Sequence, residues 1–226
     1  MLISNLKAVL EQIKNGNNLG EKITLVGAIK TQSADTVNLA VENGLKVVAE
    51  NRVQEFNAKY ELIKGAEHHF IGHLQTNKVK YLVGKVKLIH SVDSVNLCQV
   101  IDKTAEKRAV VQDVLIEINV GGELSKSGFN PDNAIDAVKE LSALKNVRIK
   151  GLMAMLPKSD DLEYLTNLCK KMRGIYDKLK ESYPDFEYLS MGMSNDYKIA
   201  IANGSNVIRL GRTIFGERGE NNNGII

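Results

Sequence analysis

The fold can be deduced from residues 22–50, KITLVGAIKTQSADTVNLAVENGLKVVAE, because they hold one complete strand–helix–strand unit. The two ends of this stretch, residues 22–30 and 45–50, are short and rich in Val, Ile, Leu and Ala, which is typical of strands buried on both faces. The residues between them carry an apolar stripe at helical spacing, and Gly44 then supplies a helix stop. The stretch therefore predicts two parallel strands connected by a helix.

The same alternation of short apolar strands and longer helical segments continues almost to the end of the chain. Two-residue hairpin signals are almost absent, which favours parallel strands joined by helices. An open doubly wound sheet is the alternative, but residues 26–33 lack the GxGxxG turn typical of that fold. The eight predicted strands are KITLVGAIK (22–30), LKVVAE (45–50), HHFIGH (68–73), KLIHSV (87–92), DVLIEINV (113–120), VRIKGLMAM (147–155), FEYLSMG (186–192) and NVIRLG (206–211).

Eight such units predict an α/β protein built as a single (β/α)8 TIM barrel. Barrels of this kind typically have about 250 residues, so a chain of 226 residues has room for one barrel and little else. We therefore expect residues 1–226 to form a single domain, with an extra N-terminal helix within residues 1–20. The polar end of the chain, residues 219–226, is expected to be a mobile tail.

The composition excludes several classes of protein. The net charge of +3 is too small to indicate nucleic-acid binding, and the lysine-rich residues 78–87 are more typical of a solvated helix face. The two cysteines, Cys98 and Cys169, are far apart, which argues against a disulfide scaffold or a cysteine-built zinc site. Because neither a secretion signal nor an apolar run near the ~20 residues of a membrane span is present, we expect a cytoplasmic protein without membrane or nucleic-acid partners.

In a (β/α)8 barrel, functional side chains lie where the strands end. The first predicted strand ends at Lys30, which closes an otherwise apolar segment. We expect partial desolvation of this amine at the barrel mouth, which would favour the neutral, nucleophilic form and make Lys30 a candidate for a Schiff base. The alternative is a lysine that merely extends into solvent at the end of a strand.

The loops after the seventh and eighth strands have the residues of a phosphate cradle. Gly192 and Gly211 would let the backbone approach an anion closely, and Ser194 would supply a hydroxyl donor. Glycines at strand ends are also common as ordinary turn residues. An amine on the first strand and an anion site after the last two favour an aldehyde-bearing phosphorylated cofactor, of which pyridoxal 5′-phosphate (PLP) is the obvious example.

Seven segments also carry a resemblance to a known family. Two of them, HFIGHLQTNK (69–78) and LSMGMSNDY (189–197), are long enough to be specific. The others are LVGAIKT (25–31), ENRVQE (50–55), IHSVDS (89–94), KSGF (126–129) and IRLGRTIFGER (208–218). In this order, and over nearly the whole chain, they resemble the pyridoxal phosphate homeostasis proteins. That family's fold is similar to the N-terminal barrel domain of alanine racemases, in agreement with the strand count.

The resemblance implies a set of cofactor-binding residues. Lys30 is similar to the lysine that forms a Schiff base with the cofactor aldehyde. Ser194, together with the backbone N–H groups of Gly211 and Arg212, is similar to the family's phosphate site.

The resemblance also implies a partner for the cofactor ring. Arg209 would face the pyridine nitrogen, and because a guanidinium does not give up its proton, it would leave that nitrogen unprotonated. Asn51 and His73 would line the pocket. The sequence departs from the family at Gly27 and Ile29, where Ala and Ser often stand beside the lysine, so details of the pocket wall are open.

The implied function is a PLP-binding protein that holds the cofactor as a lysine Schiff base and maintains intracellular vitamin B6 and PLP homeostasis without robust catalytic activity. Apo forms of PLP-dependent enzymes would receive the cofactor. The alternative is a PLP-dependent amino-acid racemase, which needs a base on each face of the substrate α-carbon. None of the seven tyrosines can be placed opposite Lys30, and the absence of a long exposed apolar helix face favours a monomer.

Two further features invite hypotheses. Lys126 lies in a loop on the same face as the predicted site, and could hold or relay cofactor near the rim. His69 and His73 would share one strand face, but no acidic or cysteine residue stands at a supporting spacing. We therefore expect packing or pocket roles for these histidines and no metal.

Overall fold

The computed structural model describes residues 1–123 and 126–216, which form the predicted closed barrel. Eight parallel strands follow one another in chain order, and the last pairs with the first. The strands are β1 (Thr24–Ala28), β2 (Val47–Glu50), β3 (Glu67–Phe70), β4 (Leu88–Val92), β5 (Gln112–Glu117), β6 (Val147–Met153), β7 (Tyr188–Ser190) and β8 (Val207–Leu210). Each overlaps its predicted segment, so the (β/α)8 fold is confirmed and the open sheet is excluded.

Helices cover the outside of the barrel. They are α1 (Leu2–Ile13), α2 (Ala34–Glu42), α3 (Val53–Lys59), α4 (Val95–Lys107), α5 (Ala134–Leu141), α6 (Leu162–Ser182), α7 (Tyr197–Ala202) and α8 (Arg212–Phe215). The extra N-terminal helix is therefore present as α1. The expected mobile tail, residues 219–226, lies outside the described residues.

The connection between β3 and β4 contains a short 3₁₀ helix and turns instead of the expected helix over residues 78–87. A 3₁₀ helix over Thr76–Tyr81 begins the lysine-rich stretch, and turns complete it. Lys80, Lys85 and Lys87 are exposed, so these charges lie in solvent although the expected helix face is only a short piece.

Local signals explain where the helices begin and end. The side chains of Ser33, Ser94 and Asp161 each accept a hydrogen bond from a backbone N–H in the first turn of α2, α4 and α6. Gly44 follows α2 with a φ of 109°, a conformation that glycine adopts without steric cost. In the part of the chain just described, no helix combines the length and the apolar character that a membrane span requires.

The barrel interior contains both apolar and polar side chains. Two small apolar clusters lie inside it, one around Val26 and Val207 and the other around Leu88 and Leu115. Polar side chains are also buried on the strands, and they include His69, His90, Glu117, Ser190 and Arg209. Because buried polar groups need hydrogen-bond partners, this set must be satisfied largely from within the barrel.

Candidate functional site

A pocket of about 670 Å³ lies at the carboxyl ends of the strands. Its lining includes every residue that the sequence analysis assigned to cofactor binding: Lys30, Asn51, His73, Ser194, Arg209, Gly211 and Arg212. These residues follow or end β1, β2, β3, β7 and β8. The pairing of β8 with β1 is what brings the two ends of the chain to one pocket.

One wall of the pocket was not anticipated. Residues 155–160, which follow β6, line it together with Leu162 and Leu165 of α6. The sequence signal was weak, because methionines and leucines at the end of a strand are more typical of packing than of a binding wall.

Lys30 stands two residues beyond the end of β1 and its side chain is exposed. The expectation that its amine is partly desolvated was therefore wrong, because the pocket is open to solvent where the side chain lies. The family departure is located behind the pocket wall: Ile29 is buried in the core, and a β carbon on Gly27 would lie 2.6 Å from a side-chain carbon of Leu45.

The backbone on both sides of Lys30 is held by α3. Lys59 Nζ donates to the carbonyls of Ile29 and Gln32, each at 3.1 Å. Glu55 Oε2 accepts from the N–H of Thr31 at 3.0 Å, although Thr31 has a φ of 66° that non-glycine residues seldom adopt. We call this arrangement the Lys30 clamp.

The clamp is built from charges that are largely buried. Lys59 forms an ion pair with Glu50 and lies 3.3 Å from Glu55. Burial raises the pKa of Glu50, an effect that Lys59 opposes, whereas the hydrogen bond from the Thr31 N–H is the largest of the effects that lower the pKa of Glu55. Both glutamates lie in ENRVQE, but the sequence did not indicate that their partner is Lys59.

Arg209 is buried, and hydrogen bonds to its guanidinium group hold it in place. Nη1 donates to the carbonyl of Ser190 at 2.9 Å and to its hydroxyl at 2.6 Å, and Nη2 donates to the carbonyl of Ala154 at 3.0 Å. Burial lowers the pKa of Arg209 to about 10, with Glu117 and Asp196 opposing this effect. The guanidinium therefore keeps its proton at neutral pH and can act only as a donor.

Two carboxyl groups, those of Glu117 and Asp93, act on Arg209 and His73. Burial, together with the charge of Asp93, raises the pKa of Glu117 to about 7, and Arg209 opposes the shift. Asp93 Oδ2 lies 3.0 Å from Nδ1 of His73, which orients that ring at the pocket wall. The sequence analysis did not identify Glu117, because an acidic residue near the end of a strand gives no local sign of its depth.

The loops after β7 and β8 bind each other. Ser194 Oγ accepts a hydrogen bond from the N–H of Thr213 at 3.3 Å, and Arg212 Nη2 donates to Asn195 Oδ1 at 2.8 Å. Gly192 has a φ of 100°, and a β carbon there would lie 2.8 Å from a side-chain carbon of α7. The two loops therefore meet closely, with Ser194, Gly211 and Arg212 at the pocket surface.

Asn51 supplies an unpaired polar group to the pocket. Its Oδ1 is buried and has no hydrogen-bond partner among residues 1–123 and 126–216. A β carbon on Gly72 would lie 2.0 Å from the Asn51 carbonyl oxygen, so only glycine permits this approach. A buried polar atom without a partner costs free energy, and a ligand with a suitable polar group would remove that cost.

Taken together, the residues fit PLP. Lys30 offers an amine, Ser194 and the neighbouring loop offer donors for an anion, Arg209 offers a fixed cationic donor, and Asn51 Oδ1 awaits a polar partner. No group of three or more His, Cys, Asp or Glu side chains that could hold a metal occurs in the described part of the chain. His69 lies in the barrel core, whereas His73 lines the pocket.

Lys126 occupies a neighbouring cavity. Its Nζ pairs with Glu123 and lies 3.4 Å from the carbonyl of Leu156, a residue of the pocket wall. The cavity that Lys126 lines also contains Asn119 and Asp132. The structure thus places Lys126 behind the wall that follows β6, and its relay role remains a hypothesis.

Comparisons with known proteins identify the family and the fold. The family described as "Alanine racemase, N-terminal domain" matches residues 4–219. A pyridoxal phosphate homeostasis protein of Aquifex aeolicus (strain VF5) is 44% identical over 220 residues, which cover 96% of this chain and 95% of that protein.

Solved structures extend the comparison. PipY of Synechococcus elongatus PCC7942 with PLP bound is similar with a TM-score of 0.84 at 29% identity, covering 96% of this chain and 100% of that one. An alanine racemase of Clostridium difficile 630 is similar with a TM-score of 0.79 at 18% identity, covering 96% of this chain and 58% of that one. At that lower identity the likeness concerns the fold alone, and the racemase chain is much longer than the shared barrel.

Proposed function

This chain belongs to the pyridoxal phosphate homeostasis protein family, and from that membership we propose that it holds PLP covalently on Lys30. It is a PLP-binding protein of vitamin B6 homeostasis. The observation that carries the residue assignment is the single pocket that joins Lys30 to Ser194, Gly211 and Arg212.

PLP brings an aldehyde that condenses reversibly with an amine, a pyridine ring and a phosphate. Lys30 presents an exposed amine, while the Lys30 clamp holds the backbone on either side. The hydroxyl of Ser194 and the backbone N–H groups of Gly211 and Arg212 would bind the phosphate. Arg209 would donate to the ring nitrogen, and its two bonded Nη atoms keep it in that place.

We further propose that the protein carries PLP and does not turn over a substrate at enzyme rates. Arg209 keeps its proton, so it would leave the nitrogen of a bound ring unprotonated, and such a ring would be a weak electron sink. Racemisation also needs a second base, and no tyrosine is found among the pocket-lining residues within the described ranges. Turnover of L- or D-amino acids at about 1 s⁻¹ or more would contradict a carrier.

The proposal extends to the partners and the location of the protein. Apo forms of PLP-dependent enzymes are the proposed recipients, and the protein is proposed to act as a cytoplasmic monomer. Cys98 and Cys169 are free and buried, which supports a reducing compartment.

The direct test is to incubate the protein with PLP, reduce with borohydride and map the modified residue by mass spectrometry. We expect one adduct, on Lys30, which Lys30→Ala abolishes. Lys158→Ala is the matched control, because Lys158 lines the same pocket and should leave the adduct unchanged. An adduct on Lys158, or one that persists undiminished in Lys30→Ala, would overturn the assignment.

A further inference from the structure

A chain of buried polar side chains crosses the barrel from the pocket to its opposite end. Arg209 Nη1 is 2.6 Å from Ser190 Oγ, and that oxygen is 3.1 Å from His90 Nδ1. His90 Nε2 is 3.0 Å from His69 Nδ1, and His69 Nε2 is 3.8 Å from Glu67 Oε2. Glu67 is the first residue of β3 and its side chain is 62% exposed, so the chain ends in solvent.

The donors and acceptors of these side chains give the series of hydrogen bonds one direction. Arg209 has only donors, so Ser190 Oγ accepts from it, and His90 Nδ1 is the one acceptor left for the serine proton among the described residues. The proton of His90 then lies on Nε2 and is donated to Nδ1 of His69. The proton of His69 in turn lies on Nε2, on the side of the Glu67 carboxylate.

Electrostatics agree with two neutral imidazoles. Burial lowers the pKa of both His90 and His69, and the charge of Arg209 adds to the effect on His90. Glu67 and Asp113 favour a charged His69, whereas Lys87 opposes it, and burial outweighs them. A charged His90 would also place a second donor on the Ser190 hydroxyl, beside that of Arg209, and would leave the serine proton without an acceptor among the described residues.

We propose that Ser190, His90 and His69 are positioning residues for Arg209. Each hydrogen bond in a chain with one direction polarises the next, so the Ser190 hydroxyl becomes a better acceptor for Arg209 than an isolated serine. These hydrogen bonds thereby hold the guanidinium at the pocket. The polarisation runs from Arg209 to the carboxylate of Glu67 at the other end of the barrel. The inference deepens the proposed function, since it rests on Arg209 facing the cofactor ring.

The first experiment needs no cofactor. The ring nitrogens of the four histidines can be assigned by NMR of the ¹⁵N-labelled protein with single His substitutions. We expect His90 and His69 to be neutral with the proton on Nε2, and Ser190→Ala to shift the Nδ1 resonance of His90. Ser205→Ala is the control, because Ser205 is equally buried beside β7 but bonds only to carbonyl groups. A charged His90, a proton on its Nδ1, or equal shifts in both variants would overturn the proposal.

The second experiment separates positioning from simple packing. Glutamine at position 90 can accept from Ser190 through its carbonyl and donate to His69 through its amide, whereas phenylalanine keeps the ring shape and makes neither bond. We expect His90→Phe to weaken PLP binding about tenfold and to shift the absorbance of the bound cofactor. His90→Gln should stay within about twofold of the wild type.

The opposite order, with His90→Phe like the wild type and His90→Gln impaired, would mean that residue 90 only fills the core. If His90→Phe fails to fold, Ser190→Ala removes a single oxygen and must weaken binding and shift the spectrum in the same way. If the wild type binds no PLP, the proposed function fails. The NMR result still shows whether the hydrogen bonds from Arg209 to His69 have the stated direction.

Discussion

The pocket holds Lys30 and Arg209 in opposite ways. Lys30 has an exposed side chain, but the backbone before and after it is bound by α3. Arg209 has a buried side chain whose two Nη atoms are bound directly. A nucleophile must reach a ligand and exchange protons with water, so only its anchor can be rigid, whereas a donor that must keep its place and its proton is best fixed at the head group.

The two regions also differ in what holds them. The Lys30 clamp uses the charges of Glu50, Glu55 and Lys59, so it depends on a complete ion-pair set. Arg209 is held by neutral groups, two carbonyls and a hydroxyl, and the charges of Glu117 and Asp196 act on its pKa without a direct hydrogen bond to it. Variants of the Lys30 clamp should therefore act through the loss of buried ion pairs, and variants around Arg209 through hydrogen bonds and the ionisation of Glu117.

The largest effect is expected when the clamp loses its cation. Lys59→Met leaves Glu50 buried without a counter-ion, which should lower the free energy of unfolding by about 3–5 kcal/mol at neutral pH. Urea denaturation measures the loss. Lys64→Met is the control, because Lys64 pairs with Glu61 only on the surface, where such a pair contributes about 1 kcal/mol or less. Similar losses in both variants would show that the clamp is not a buried ion-pair set.

A smaller effect is expected beside Arg209. Because the pKa of Glu117 rises from 4.5 to about 7 on folding, its ionisation costs stability as the pH increases through that interval. Glu117→Gln should match the wild type near pH 4.5 and exceed it by up to about 3 kcal/mol at pH values above about 7. Unfolding curves across this range test the sign, with the exposed Glu61→Gln as control. A gain that is equal at all pH values would count against a buried, neutral Glu117.

The smallest effect concerns the strained residue after Lys30. Thr31→Gly removes the cost of a positive φ but adds chain entropy, so a net gain of about 0.5–1 kcal/mol in unfolding free energy is expected. The looser loop should weaken PLP binding about two- to fivefold. Ala109→Gly, at the other non-glycine residue with positive φ in the described chain, should give a similar gain in stability with unchanged binding. Weaker PLP binding in both variants would show that the effect at position 31 does not come from the Lys30 clamp.

Much of the site could be predicted because strand ends are visible in a sequence. Lys30, Asn51 and Ser194 were placed correctly at the pocket since each follows a short apolar segment of a repeating pattern. The solvent exposure of Lys30 was predicted wrongly, because desolvation depends on how far neighbouring loops cover a side chain. The cofactor roles of these residues stay predictions.

The supports of the site were not predictable for a different reason. Lys59 reaches the carbonyl of Ile29, and Ser190 joins His90 to Arg209, across sequence separations of 30, 100 and 19 residues. Alternation along a strand shows that such residues face inward, but it does not show which inward residues meet.

The number, order and parallel direction of the elements follow from the sequence alone, because hydrophobic periodicity is a local property of the chain. The partners of Lys59, Glu117, Ser190 and His90 do not, since they depend on the register and closure of the barrel, which set the distances between residues far apart in the chain. Local pattern therefore sufficed to find the mouth of the pocket, while the contacts that hold Lys30 and Arg209 exist only once α3 packs beside β1 and β8 pairs with β7.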